Sequence, residues 1–182
     1  MAIIRQYKLK IILGLMLCMM SITICAKDEF RIIDYRLGLN SSTINHIVFD
    51  KQGFAWLSTP DGIIRYDGVL FYPYTHQSGN DHSLYNNNVI KTLPATCGMW
   101  IGAGNALQYY DYHTGKFYIE QYIDSNGKVS KINQDRIISL FRLGDKIFAT
   151  DNKGYMYGKQ EDEQFFSLLQ KGVYSLCPIG KS

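Results

Sequence analysis

Cysteine is scarce in this chain and badly placed for structural use. Of the four, Cys18 and Cys25 fall within the first 26 residues, which leaves Cys97 and Cys177. Two isolated cysteines make no zinc-ligand spacing. Clusters of basic residues are lacking as well. Arg5, Lys8 and Lys10 precede residue 27 and all 16 acidic residues follow it, so the remainder carries 16 charges of each sign. A formally neutral chain without a Lys/Arg stripe gives no electrostatic footprint for nucleic acid. No Gly-rich phosphate loop, Gly-x-Ser-x-Gly elbow or His-Glu-x-x-His occurs. Acidic residues lie mostly in turns, where Asp bonds its local backbone, and no two of them stand out as acid and base. The sequence thus offers no catalytic residue, no metal-ligand set and no cofactor motif.

Long apolar runs are absent after the start of the chain. The one run, Ile11 to Cys25, is interrupted by Gly14, Ser21 and Thr23 and follows three basic residues. Ala26 then precedes the charged pair Lys27-Asp28. A basic n-region, an apolar h-region and a small residue predict a signal helix over 1–26, cleaved on export. The run is short for a membrane span, which needs about 20 apolar residues. Membrane contact is expected only through this leader, if it stays uncleaved.

What the chain does have is a repeated strand–turn pattern. Asp50-Lys-Gln-Gly-Phe-Ala-Trp-Leu-Ser-Thr-Pro-Asp-Gly-Ile-Ile-Arg-Tyr-Asp-Gly68 reads as turn, strand, turn, strand, turn. Gly53 suits a short hairpin, and Pro60-Asp61-Gly62 a tight reversal. In Phe54 to Thr59, Trp56 and Ser58 share one face and Leu57 and Thr59 the other. Trp100 to Asp111 aligns with Trp56 to Asp67 without a gap, at an offset of 44 positions. Ile137–Phe141, Ile147–Asp151 and Gly154–Tyr157 form a weaker third copy, with Ile147 in place of the Trp. Val173–Cys177 begins a fourth.

A period of about 45 residues built from short strands and Gly/Asp turns predicts an all-β fold, a partial β-propeller. The expected layout is an orphan strand over 27–36, four-stranded blades over 37–78, 79–124 and 125–168, and the start of a truncated fourth over 169–182. Cys97 and Cys177 then lie in the second and fourth units, a whole blade apart, too far for a disulfide. Trp56 and Trp100 could stack on sugars, but their fixed place in a repeated strand points to packing. Thr75 to Asn88 reads as a solvated polar loop. Its His76, Asp81 and His82 lack a third ligand at metal spacing. Ser125-Asn-Gly127 reads as the loop into the third unit, and Glu161-Asp-Glu163 as a solvated acidic tip.

Gly38-Leu39, Ile44, Phe49-Asp50, Gly53-Phe54-x-Trp56-Leu-Ser-Thr59, Asp61-Gly62-Ile63 and Arg65-Tyr66-Asp67-Gly68 together resemble the two-component regulator propeller repeat. The resemblance covers about 30–122 well and the third unit loosely. It departs at Ala103 and Ala106, where the first unit has Thr59 and Gly62. It implies the N-terminal part of a periplasmic sensor region of a hybrid two-component histidine kinase. It further implies an oligosaccharide ligand from glycan breakdown, signalling through a homodimer, and a kinase carried in sequence not present here. A propeller enzyme acting on polysaccharide and a stand-alone exported interaction module are the alternatives. No residue placed for catalysis recurs between units, so the chain is read as non-enzymatic and cofactor-free. Ligand-binding residues stay unknown, because propeller pockets combine loops from several blades. An open arc is expected to self-associate through its uncovered end faces and to show no oligosaccharide affinity alone.

Overall fold

In the computed structural model, residues 38–170 and 172 are described. The signal helix, the orphan strand over 27–36 and most of the truncated fourth unit lie outside the described residues. None of the described residues is helical. Among the described residues fourteen strands form three sheets.

The first sheet runs in chain order through β1 (His46–Phe49), β2 (Ala55–Thr59), β3 (Gly62–Tyr66) and β4 (Phe71–Tyr74). The second repeats this with β5 (Val89–Pro94), β6 (Gly98–Ala103), β7 (Ala106–Asp111) and β8 (Lys116–Ile119). The third contains β9 (Gln121–Ile123), β10 (Val129–Lys131), β11 (Ile137–Leu143), β12 (Lys146–Asp151), β13 (Met156–Gln160) and β14 (Phe166–Gln170). Its order is β10-β9-β14-β13-β12-β11, with β9 parallel to β14. Apart from the β9–β14 pair, these are the successive antiparallel sheets of a partial propeller.

The third sheet is therefore six strands wide rather than four. The stretch around Ser125-Asn-Gly127 is not a connecting loop but the tip of the β9–β10 hairpin. Tyr122, within the stretch 79–124 read as the second blade, lies in this sheet, and Leu169 and Gln170 end its strand β14. Three-residue strands carry too little alternation to be seen in sequence.

One turn, used three times, explains much of this geometry. Asp50 Oδ1 accepts from the amides of Gln52 and Phe54 at 3.0 and 2.9 Å. Asp124 Oδ1 does the same for Asn126 and Lys128, and Asp151 Oδ1 for Lys153 and Tyr155, all at 2.9 Å. The fourth residue is each time a glycine, with φ of 87, 78 and 80° at Gly53, Gly127 and Gly154. This is a three-residue hairpin loop whose αL position favours Gly. In the first sheet it joins β1 to β2; in the third it joins both β9 to β10 and β12 to β13. Trp56 Nε1 donates to Asp50 Oδ2 at 2.7 Å, and the Tyr157 hydroxyl donates to Asp151 Oδ2 at 3.0 Å, six residues on in both cases.

Two apolar layers hold the sheets together. Trp56, Ile63, Met99, Ile101 and Phe117 fill the layer between the first and second. Trp100, Leu107, Leu140, Ile147 and Phe166 fill the layer between the second and third. The middle strand β6 is consequently buried at every residue, whereas β1 alternates and leaves Ile47 and Phe49 51% and 69% exposed. The first strands meet at the inner side. Asn45 Nδ2 donates to the Val89 carbonyl at 2.7 Å, and His46 Nδ1 lies 3.3 Å from Thr92 Oγ1.

The second unit has Ala95-Thr-Cys-Gly98 where the first has its Asp turn, and the third sheet supplies the missing carboxylate. Thr96, 44 positions after Gln52, donates its amide to Glu161 Oε1. Arg142 pairs with Glu161 Oε2 at 2.8 Å and donates to the Pro94 carbonyl at 3.1 Å. Glu161 is thus a clamp between sheets rather than a solvated tip. Its partial burial resists ionisation, but the Thr96 amide and Arg142 outweigh this and hold its carboxyl below the ordinary value. That contribution is present above the ordinary carboxyl range and fades as pH falls through the lowered value. Glu161→Gln is expected to cost about 1 kcal/mol at neutral pH, a charged hydrogen bond discounted for partial exposure. Urea denaturation at neutral and acid pH checks this; an equal loss at both would refute it.

Candidate functional site

The residues between β4 and β5 form a built loop. His76 donates its amide to Asn87 Oδ1 at 2.6 Å, which brings the loop's two ends together. Inside, Gln77 N donates to Ser83 Oγ at 3.0 Å and His82 N to Asn80 Oδ1 at 3.0 Å. A compact loop with close ends, packed by its own side chains, is a common functional element.

The second sheet fixes this loop from below. Gln108 on β7 is 1% exposed. Its Oε1 accepts from the Tyr85 amide at 2.7 Å and its Nε2 donates to the Ser83 carbonyl at 3.2 Å. Phe117 N donates to the His82 carbonyl at 3.0 Å, and Gly104 N to the Asn88 carbonyl at 2.8 Å. Leu84 is fully buried among the apolar residues between the first two sheets. The reading of 75–88 as a solvated loop is therefore corrected: its exposed tip stands on a buried polar and apolar base. Gln108 was missed in the sequence; its one signal is a lone amide inside the apolar run of β7.

Between this loop and the outer edge of the second sheet lies an open cleft of about 710 Å³. One wall is Asn80 to Asn86, the other Phe117, Tyr118 and Ile119, and Lys131 enters from β10. Tyr85 and Tyr118 are each 38% exposed. The His82 ring meets Tyr118 edge-on, with centroids 5.1 Å apart. His76 Nδ1 lies 2.9 Å from the Leu84 carbonyl, which fixes Nδ1 as the protonated nitrogen. His76 thus serves the loop's own structure. Ser83 Oγ is occupied by Gln77 and Asn80. Among the described residues no three His, Cys, Asp or Glu side chains gather to hold a metal ion.

The tryptophans do not reach any such surface. Trp56 is fully buried, its ring stacked with Tyr74 and Tyr112 at centroid distances of 5.8 and 5.9 Å. Trp100 is 1% exposed. Of the tyrosines around them Tyr110 is buried, and Tyr74, Tyr109 and Tyr112 are half-buried. Burial pushes Tyr110 and Tyr112 above the ordinary range, and Tyr109 up to about 12.

No protein-family profile matches the sequence. No curated protein matches it either. Solved structures do. The extracellular domain of BT3049 from B. thetaiotaomicron, designated as a hybrid two component system, superposes with a TM-score of 0.60 at 23% identity, over 75% of this chain and 19% of that one. The extracellular domain of BT4673 from the same organism, designated as a one component system, gives 0.56 at 15% identity, over 80% of this chain and 21% of that one. The chain shares their fold. It spans about a fifth of the length of these structures. That is the fold implied by the Gly-Phe-x-Trp and Arg-Tyr-Asp-Gly resemblance.

Proposed function

We propose that the chain is the N-terminal segment of an exported, periplasmic sensor domain. Residues 1–26 direct export and are removed. The segment takes part in recognising a glycan-derived oligosaccharide and passes the signal, through a homodimer, to a hybrid histidine kinase carried in sequence not present here. It is not itself an enzyme. The observation that carries this reading is the likeness to two ectodomains of bacterial signalling systems. The built cleft agrees with it.

The test is to place the chain in its complete reading frame in a host lacking the native gene. Transcription of a target promoter is then followed while defined oligosaccharides are supplied. Induction by one of them, with N-terminal sequencing of the exported protein starting near Lys27, is the expected result. A reading frame without a kinase or DNA-binding output, or a protein that retains Met1, would count against it.

A further inference from the structure

The cleft over the second sheet carries an inference that the sequence did not. Propeller pockets usually combine loops from many blades, which left binding residues unassigned. Here every wall comes from residues 76–131. The walls are also fixed before any ligand arrives, by Gln108 beneath Tyr85 and Ser83 and by the buried Leu84. A site whose supporting groups are buried and fully bonded loses little freedom on binding.

The groups left facing the cleft define what fits. Asp81, the His82 ring, the Tyr85 hydroxyl and Lys131 line it and have no hydrogen-bond partner among the described residues. Tyr85 and Tyr118 expose part of their rings. An apolar ligand would strip water from these polar groups and return nothing. A strongly anionic ligand meets Asp81 as well as Lys131, so the cleft offers no net attraction for it. A peptide adding as a strand to the edge of β8 is blocked, because the Phe117 amide already donates to the His82 carbonyl. A molecule with many hydroxyls and an apolar ring face satisfies the whole set. Its hydroxyls both donate and accept, and its C–H face lies on tyrosine.

We propose that this cleft is a saccharide-binding site complete within the chain, taking a short neutral oligosaccharide with one pyranose against Tyr118 and hydroxyls on Asp81 and His82. The inference rests on the reading of the chain as part of an oligosaccharide sensor, and reverses the expectation that the chain alone has no sugar affinity.

The test uses the 182-residue chain and isothermal titration with neutral hexose, pentose and N-acetylhexosamine tetrasaccharides. An oligogalacturonate and a sulfated disaccharide form the acidic arm. Binding of at least one neutral sugar is expected, weakened by about tenfold in Tyr118→Ala. Asp81→Asn should weaken it by a similar factor. Both side chains are surface groups, and an unchanged thermal midpoint shows that the loss is not unfolding. Absence of binding across the panel, binding of the acidic arm alone, or affinity unchanged in both variants would each overturn the proposal. If the cleft variants leave induction of the complete sensor by a sugar intact, the cleft assignment fails and the sensor reading stands. If the complete sensor responds to no saccharide, both fail.

Discussion

Trp56→Ala is expected to remove about 3–5 kcal/mol of stability. The side chain is fully buried between the first two sheets and contacts three tyrosine rings, with Tyr110 tilted at 5.6 Å beside the two stacked ones. Truncation would open a cavity and also orphan Asp50 Oδ2, which is left with only the longer 3.3 Å bond from the Tyr112 hydroxyl. A contrast isolates the second effect. Trp100 occupies the corresponding place in the second sheet, but its Nε1 is buried with no hydrogen-bond partner. Trp56→Phe gives up a bond to a carboxylate, worth about 1.5–3 kcal/mol. Trp100→Phe gives up none and removes a buried unsatisfied donor. Chemical denaturation of the two Phe variants should therefore rank Trp56→Phe as clearly the more damaging. Equal losses would mean that the Asp50 bond contributes little, and near-wild-type stability in Trp56→Ala would show that the ring is not core.

The second large effect is expected at Lys159. Its ammonium lies 3.0 Å from Glu120 Oε2, and the two side chains are 6% and 11% exposed. The Trp100 and Phe166 rings flank it at 5.6 and 4.9 Å. Lys159→Met leaves Glu120 buried without its cation and should cost about 3–5 kcal/mol near neutral pH, because removing one member of a buried pair strands the other. Adding Glu120→Leu should recover most of the loss. The pH dependence has a definite sign. Burial already raises the Glu120 carboxyl above its ordinary value, and Lys159 is what opposes it. In the variant the value rises further, so the folded state holds a proton that the unfolded chain has released. Stability linked to this group is then full below the ordinary carboxyl value of 4.5 and is lost as pH rises through the raised one. Urea titrations should show the variant's deficit shrinking in acid. A deficit independent of pH, or a double variant no better than the single, would refute the argument.

The first two sheets were legible in sequence because their strands are long enough to alternate and their turns carry Gly at the αL position. The 44-residue offset from Trp56 to Trp100 corresponds to β2 and β6, and Ile147 on β12 takes the same place in the third. The β9–β10 hairpin was not legible, since its strands are three residues each and its partner β14 lies more than 30 residues away. The displaced turn at Asp151 could have been read: Asp-x-x-Gly-Tyr-x-Tyr repeats the pattern of Asp50-x-x-Gly-Phe-x-Trp. The candidate site was hidden for a different reason. A run of Asn, Ser, Asp and His looks solvated in sequence whether or not a buried Gln108 and Leu84 hold it. The ties that make it a cleft join positions 16 to 35 residues apart.

The Glu161 clamp has a consequence for how the chain comes apart. In a stacked repeat, stability divides into what each unit holds by itself and what neighbours share. The first sheet closes its leading turn with its own Asp50, whose Oδ1 holds the Gln52 and Phe54 amides without help from another sheet. The second sheet has given that role to a residue of the third. Opening at Thr96 therefore requires the β13–β14 turn to let go, and the two sheets are joined into one cooperative unit at that end. Hydrogen exchange would show it as a shared opening energy for the Thr96 amide and the amides of β13, while the Gln52 amide exchanges on a schedule of its own.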